Sequence, residues 1–100
     1  MPLFLITCTD HENAVEQRLA VRPKHIARLQ QLNDEGRLLV AGAMPKVHGQ
    51  TETGFYGSTM IVDFESREAL DLWLKEEPFL LEGVYAHVDV KPFNKAFPQG

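Results

Sequence analysis

The sequence predicts an α+β domain in which two helices cover one face of a four-stranded antiparallel sheet. Short runs of strand formers recur at 3–8, 38–42, 58–65 and 84–91, and helical stretches occupy 23–35 and 66–77. The resulting order is strand, helix, strand, strand, helix, strand, which is the split βαβ, ferredoxin-like plan. Size agrees with one domain over residues 1–100. A chain of 100 residues that is 44% hydrophobic and 24% charged removes roughly two-thirds of its unfolded surface from water, enough for one core.

The first strand is Leu3–Cys8, apolar and followed by the polar run Thr9-Asp10-His11-Glu12-Asn13, so it ends near Thr9. Val15–Val21 holds at most a turn of helix. The first helix is read as Pro23–Glu35. Proline suits a first helical position, Ile26, Leu29 and Leu32 follow at spacing three, and Gly36 suits the C′ position. Arg22 then sits where an N-cap belongs, a place arginine serves poorly. Leu38–Gly42 is the second strand. Ala43–Gly57, with Pro45, Gly49, Gly54 and Gly57, reads as a long loop or irregular hairpin.

Ser58–Glu65 is the third strand, apolar on both faces. Ser66 caps the second helix, Glu68 suits its positive end, and Leu70, Trp73 and Leu74 form its buried stripe. Pro78 stops that helix at Glu76 or Glu77, and Phe79–Gly83 is a connector. In the last strand, Val84–Lys91, the residues Val84, Ala86, Val88 and Val90 point one way. Tyr85, His87, Asp89 and Lys91 point the other. Phe93 and Phe97 give the tail aromatic anchors.

Formal net charge is −4, which argues against a nucleic-acid partner because displacing phosphate counterions needs a basic field. No run approaches the roughly 18 apolar residues of a membrane span. Met1–Ile6 lacks a basic n-region and a cleavage site, so it does not read as a signal peptide. A single cysteine, Cys8, excludes an intrachain disulfide and suits the reducing cytoplasm. With both helices on one side, the other sheet face, including Ile61, stays open and partly apolar. Sheet-against-sheet pairing into a homodimer is the expected cover.

Chemistry concentrates on His25. Placed in a first helical turn behind Arg22 and Pro23, it would feel the helix dipole and stay a neutral base. Arg22 would push the same way and could hold an anionic substrate. A histidine base needs an orienting carboxylate. Asp10, at the end of the first strand, is the first candidate, and Glu77 is the second. Gly54–Thr59 could offer amides and the hydroxyls of Ser58 and Thr59 to an anion, or simply turn into a strand. His11 and His48 read as solvated, His87 as a half-exposed strand residue, and Cys8 as a buried inert thiol. Neither paired histidines nor CxxC is present, so no metal site is expected, and no nucleotide or hydrolase loop motif occurs.

An ordered set of segments carries a family resemblance. It comprises Arg22-Pro23-x-His25-x-x-x-Leu29, Asp34-Glu35-Gly36-Arg37-Leu38-Leu39, Ala41-Gly42-x-Met44-Pro45, Gly54-Phe55-x-Gly57-Ser58-Thr59 and Gly83-Val84-Tyr85-x-His87-Val88-x-Val90-Lys91-Pro92-Phe93. Together they resemble the YciI-like proteins from Leu3 to Phe97. The resemblance implies a ferredoxin-like fold, a dimeric α+β barrel and a pocket in each subunit whose His–Asp pair suggests catalysis. One branch removes chloride from a chlorinated hydroxyquinol; the usual short member has no established reaction. His25, Arg22 and Asp10 match family positions. The chain departs from the pattern at Gly42-Ala43, where Gly-Pro is common. It departs again at Glu77-Pro78-Phe79, where aspartate commonly precedes the proline, so Glu77 would reach with one extra methylene.

The expectation is a small cytoplasmic enzyme without an organic cofactor. In it His25, oriented by Asp10 or Glu77, moves a proton on a small polar or anionic molecule, aromatic ones included, held near Arg22, Ser58 and Thr59. The alternative is a non-catalytic dimer that binds a small ligand or a protein partner through the same residues.

Overall fold

The computed structural model describes residues 2–99. Its elements are β1 (Leu3–Asp10), α1 (Val15–Asp34), β2 (Leu38–Pro45), β3 (Phe55–Asp63), α2 (Arg67–Lys75), α3 (Pro78–Leu81) and β4 (Tyr85–Phe93). A single turn of 3₁₀ helix at Thr51–Thr53 interrupts the β2–β3 connection. The sheet runs β2-β3-β1-β4, and its neighbouring strands are antiparallel. The α+β, ferredoxin-like order expected from the sequence is therefore the observed one, with α3 as an added turn.

Period-2 alternation sorts the strands onto two faces. Phe4, Ile6 and Cys8 of β1 pair with Val62, Met60 and Ser58 of β3, and all six are buried beneath the helices. The intervening Leu5–Ile61 and Thr7–Thr59 pairs are half-buried on the face that no helix covers. Val40 continues that face beside Ile61 and is 53% exposed.

The first helix differs most from expectation. It begins at Val15, not Pro23, and runs for 20 residues with Pro23 inside it. Proline cannot donate to the carbonyl one turn back, at Leu19. Pro23 lies on the exposed side of α1, where a carbonyl left without its helical donor is not shut off from solvent. The buried stripe is Arg18, Val21, His25, Leu29 and Leu32, at helical spacing. Ile26, expected in that stripe, is 38% exposed.

Three further boundaries move. The stretch read as the 43–57 loop is strand at both ends, because β2 continues to Pro45 and β3 starts at Phe55, and only 46–54 connect them. Pro78 does end α2, yet it also opens α3 as its first residue, with Glu77 as N-cap accepting from the Phe79 N–H. Tyr85 is buried at 2% exposure, not aligned with the exposed His87, Asp89 and Lys91. A register shift is the reason: Thr9 pairs with His87 but Asp10 with Tyr85, so one extra β4 residue flips the side-chain face.

At Gly57 the backbone of β3 packs tightly against that of β1. A Cβ there would sit 1.7 Å from the Cys8 carbonyl oxygen, so only glycine allows the approach that seats Ser58. Gly57→Ala should destabilise the fold by about 2–3 kcal/mol through forced strand separation, read as a lower denaturant midpoint at unchanged slope.

Candidate active site

The site lies between α1 and the buried face of the sheet. Three residues on the α1 stripe supply its charge. Arg18 is 4% exposed and His25 is 5% exposed, so neither can rely on water for a partner. Arg28, half-buried, extends the same face toward α2.

Arg18 is held by the end of β1. Its Nε donates to Asp10 Oδ2 at 2.9 Å and its Nη2 to Asp10 Oδ1 at 3.1 Å, a forked pair. Nη2 also donates to Ser58 Oγ at 2.8 Å. The guanidinium lies 4.6 Å from the Phe55 ring centre and 4.7 Å from that of Phe79.

His25 is held by the α3 N-cap. Its Nδ1 lies 2.5 Å from Glu77 Oε1, and the glutamate is 0% exposed. A carboxylate accepts, so in the neutral ring Nδ1 carries the proton and Nε2 keeps its lone pair. The ring stacks on Phe79, with centroids 4.1 Å apart and planes 19° apart. One short segment, Glu77-Pro78-Phe79, thus supplies both the hydrogen-bond acceptor and the stacking surface.

A cavity of about 160 Å³ opens against these groups, lined by Arg18, Arg22, His25, Ser58, Phe79 and apolar side chains that include Leu29 and Met60. Small residues of β2, Ala41–Ala43, complete the wall.

The structure brings together most of the residues expected from the sequence, with different partners. His25 meets Glu77. The Asp10–His25 pair does not form, because Asp10 is engaged by Arg18. Nor does His25 sit at a helix N-terminus: Val15 begins α1, so His25 lies in its third turn, where the dipole effect has faded. Arg22, relieved of its supposed cap position, is exposed at the cavity rim. Ser58 lines the cavity. Thr59 points to the opposite sheet face, where its hydroxyl donates to Met44 Sδ at 3.2 Å. Sequence reasoning misses Arg18 because a helix beginning at Pro23 leaves it out, and misses Arg28 because it reads as one of the polar residues between Ile26, Leu29 and Leu32. The available signal is their spacing from His25 on one apolar stripe, seven residues before it and three after.

Cys8 is fully buried, and burial pushes its thiol up to about 12, as expected for an inert packing residue. Among the described residues no group of three or more His, Cys, Asp or Glu side chains is placed to hold a metal ion. No helix among them is long and apolar enough to cross a membrane.

Residues 2–94 match the model of the YCII-related domain. The chain belongs to that family. It is 52% identical to Protein YciI of Escherichia coli O6:H1, over 95% of this chain and 99% of that one. It is 47% identical to an uncharacterised Haemophilus influenzae protein, over 94% and 98% of the two chains. Among solved structures, it resembles the 5-chloro-2-hydroxyhydroquinone dehydrochlorinase of Burkholderia phenoliruptrix, determined with 2,5-dihydroxybenzoquinone. The TM-score is 0.81 at 25% identity, covering 92% of this chain and 93% of that one. An antibiotic biosynthesis monooxygenase of Nitrosomonas europaea shares the fold at a TM-score of 0.53 and 8% identity, covering 99% of this chain and 93% of that one.

The forked Arg18–Asp10 pair has a measurable signature. Arg18→Met alone should cost about 3–5 kcal/mol by leaving Asp10 buried and unpaired. Adding Asp10→Asn should recover at least about 1 kcal/mol of it in a double-mutant cycle of urea unfolding.

Proposed function

We propose that the protein is an acid–base enzyme acting on a small, single-ring molecule with ionisable oxygens, such as an enol or a polyhydroxylated aromatic. The observation that carries this reading is the His25 Nδ1–Glu77 Oε1 hydrogen bond of 2.5 Å at the wall of a closed-in cavity. His25 Nε2 is the proton-transferring atom, and Glu77 fixes the ring and its tautomer. Arg18 and Ser58 offer donors to a ligand oxygen, and Arg22 adds another at the rim. Asp10 contributes by holding Arg18 and does not itself touch the ligand.

Cavity size supports the substrate class. A volume of about 160 Å³ suits one six-membered ring with its substituents toward the opening, since a cavity of roughly 150 Å³ accepts benzene. Phe79, Leu29 and Met60 supply apolar walls for the ring. The dehydrochlorinase that shares the fold, solved with 2,5-dihydroxybenzoquinone, works on a molecule of this kind.

The protein pairs as a homodimer through the open sheet face, where Leu5, Ile61 and Val40 lie exposed or half-buried. Its buried, unreactive Cys8 fits a cytoplasmic setting. Ile61→Lys should convert a dimer of light-scattering mass to a monomer; a wild-type chain that is monomeric at millimolar concentration rejects the pairing.

The chemistry is tested with 1,2,4-trihydroxybenzene in D₂O. The protein should accelerate exchange of its ring hydrogens, and His25→Asn should lower that acceleration by about 100-fold or more. Glu77→Gln should lower it by about 10-fold or more, with 2,5-dihydroxybenzoquinone still bound. If the wild-type protein neither accelerates exchange nor binds the quinone, the acid–base reading falls.

A further inference from the structure

We propose that Arg28 is a positioning residue: it neutralises Glu77 through the oxygen His25 does not use, and so leaves His25 free to act as a neutral base toward a ligand that enters as an uncharged weak acid. This rests on the acid–base reading of His25 and assigns that site its charge balance and ligand ionisation state.

Glu77 is 0% exposed, so its charge needs a counter-ion within the protein. Oε1 is occupied, facing His25 Nδ1 at 2.5 Å and the Phe79 N–H at 3.2 Å. Oε2 has no hydrogen-bond partner among the described residues, and it faces Arg28 Nη1 at 3.5 Å. Nη1 is equally buried and unpartnered. Trp73 anchors the guanidinium in this position. Nη2 donates to the Trp73 carbonyl at 2.8 Å, and the group lies 4.3 Å above the Trp73 ring. Two charged groups are thus held beside each other, short of a direct hydrogen bond, by contacts that neither makes with the other.

Without Arg28, the imidazole would be the cation in contact with Glu77. The pair would then hold its proton as an ion pair, and Nε2 would be a donor rather than a base. With Arg28 present, Glu77 is balanced whatever the state of His25. Arg18 is balanced in the same way by Asp10. The buried charges cancel while His25 is neutral, so the cavity is matched to a neutral ligand. When a ligand O–H or C–H bond breaks, its proton forms Nε2–H and its electron pair remains on the ligand. The imidazolium and the new anion then balance each other, and the reverse step returns the proton.

The other groups facing this centre do not supply that balance. On α1, Arg22 is exposed and screened by water. Burial raises both Cys8 of β1 and Tyr85 of β4 well above their ordinary values, so both stay neutral. Glu76, at the end of α2, is exposed. Burial also pushes the Arg28 guanidinium below its ordinary value, opposed by Glu77 and Glu76, and a guanidinium still keeps its proton.

The test is a ligand-free titration followed by ¹⁵N NMR of the histidine rings between pH 5 and 9. Arg28→Met should raise the protonation midpoint of the His25–Glu77 pair by about one pH unit or more, a tenfold gain in proton affinity. Arg28→Lys should return most of that shift, and Glu76→Gln, which removes an exposed charge nearby, should move the midpoint by no more than a few tenths. Arg28→Gln repeats the test should the Met variant lose the native dispersion of its amide NMR signals. An unchanged midpoint in either folded neutral variant, or an equal shift in Arg28→Lys, overturns the proposal. Because no ligand is present, this outcome is separate from the hydrogen-exchange result, which bears on the acid–base reading alone.

Discussion

A glutamate without solvent exposure, holding a histidine at 2.5 Å, is the constraint around which this domain is arranged. Burying a carboxylate costs several kcal/mol unless its surroundings compensate, and here residues of three helices do so. Pro78 ends α2 and opens α3, which turns Glu77 inward as an N-cap. The Phe79 N–H and His25 Nδ1 share one oxygen, and Arg28 faces the other. Trp73 of α2 fixes Arg28. Helix α1 must run unbroken through Pro23 for Arg18 to share a face with His25, so its early start and its interior proline belong to the site as much as to local propensity.

The second buried pair, Arg18 with Asp10, follows the same logic with the charges exchanged between elements. There the helix supplies the cation and the strand end supplies the carboxylate. The β-bulge that shifts β4 at Asp10 also turns Tyr85 inward beside Arg18. Each charge is met by an opposite one and bounded by aromatic rings, which keeps the polar cluster compatible with an apolar core. The cost is a cavity not fully packed, and that space is what a ligand can use.

Much of the fold is legible in the sequence because hydrophobic periodicity is a local signal. The four strands, the Ser66 cap and the stop at Pro78 are all readable from neighbours within a few residues. The start of α1 is not. Pro23 carries a strong prior for a first helical position, and two buried polar residues, Arg18 and His25, dilute the apolar stripe that would extend the helix backward. The same misplacement makes Arg22 look functional as a failed cap and gives His25 a dipole it does not feel. His25 and its two possible partners, Asp10 and Glu77, are identifiable as candidates, yet the choice between them is not: 52 residues separate His25 from Glu77, and only the packing of α3 on α1 closes that distance. Asp10 is the nearer choice along the chain, and Arg18 already claims it.

Strand β3 shows how little separates the two sides of this sheet. Ser58 and Met60 face the cavity, while Thr59 and Ile61 face the uncovered side. Because side chains alternate with period 2, a slip of one residue would place a threonine against Arg18 and a serine on the opposite face. Nothing in the hydrophobic pattern of β3 forbids that slip, since both faces carry apolar residues. What forbids it is Gly57, whose missing side chain accommodates the Cys8 carbonyl and sets the register one residue before Ser58. The cavity chemistry and the face proposed for subunit pairing are therefore kept on opposite sides of one sheet by a single steric contact between backbones.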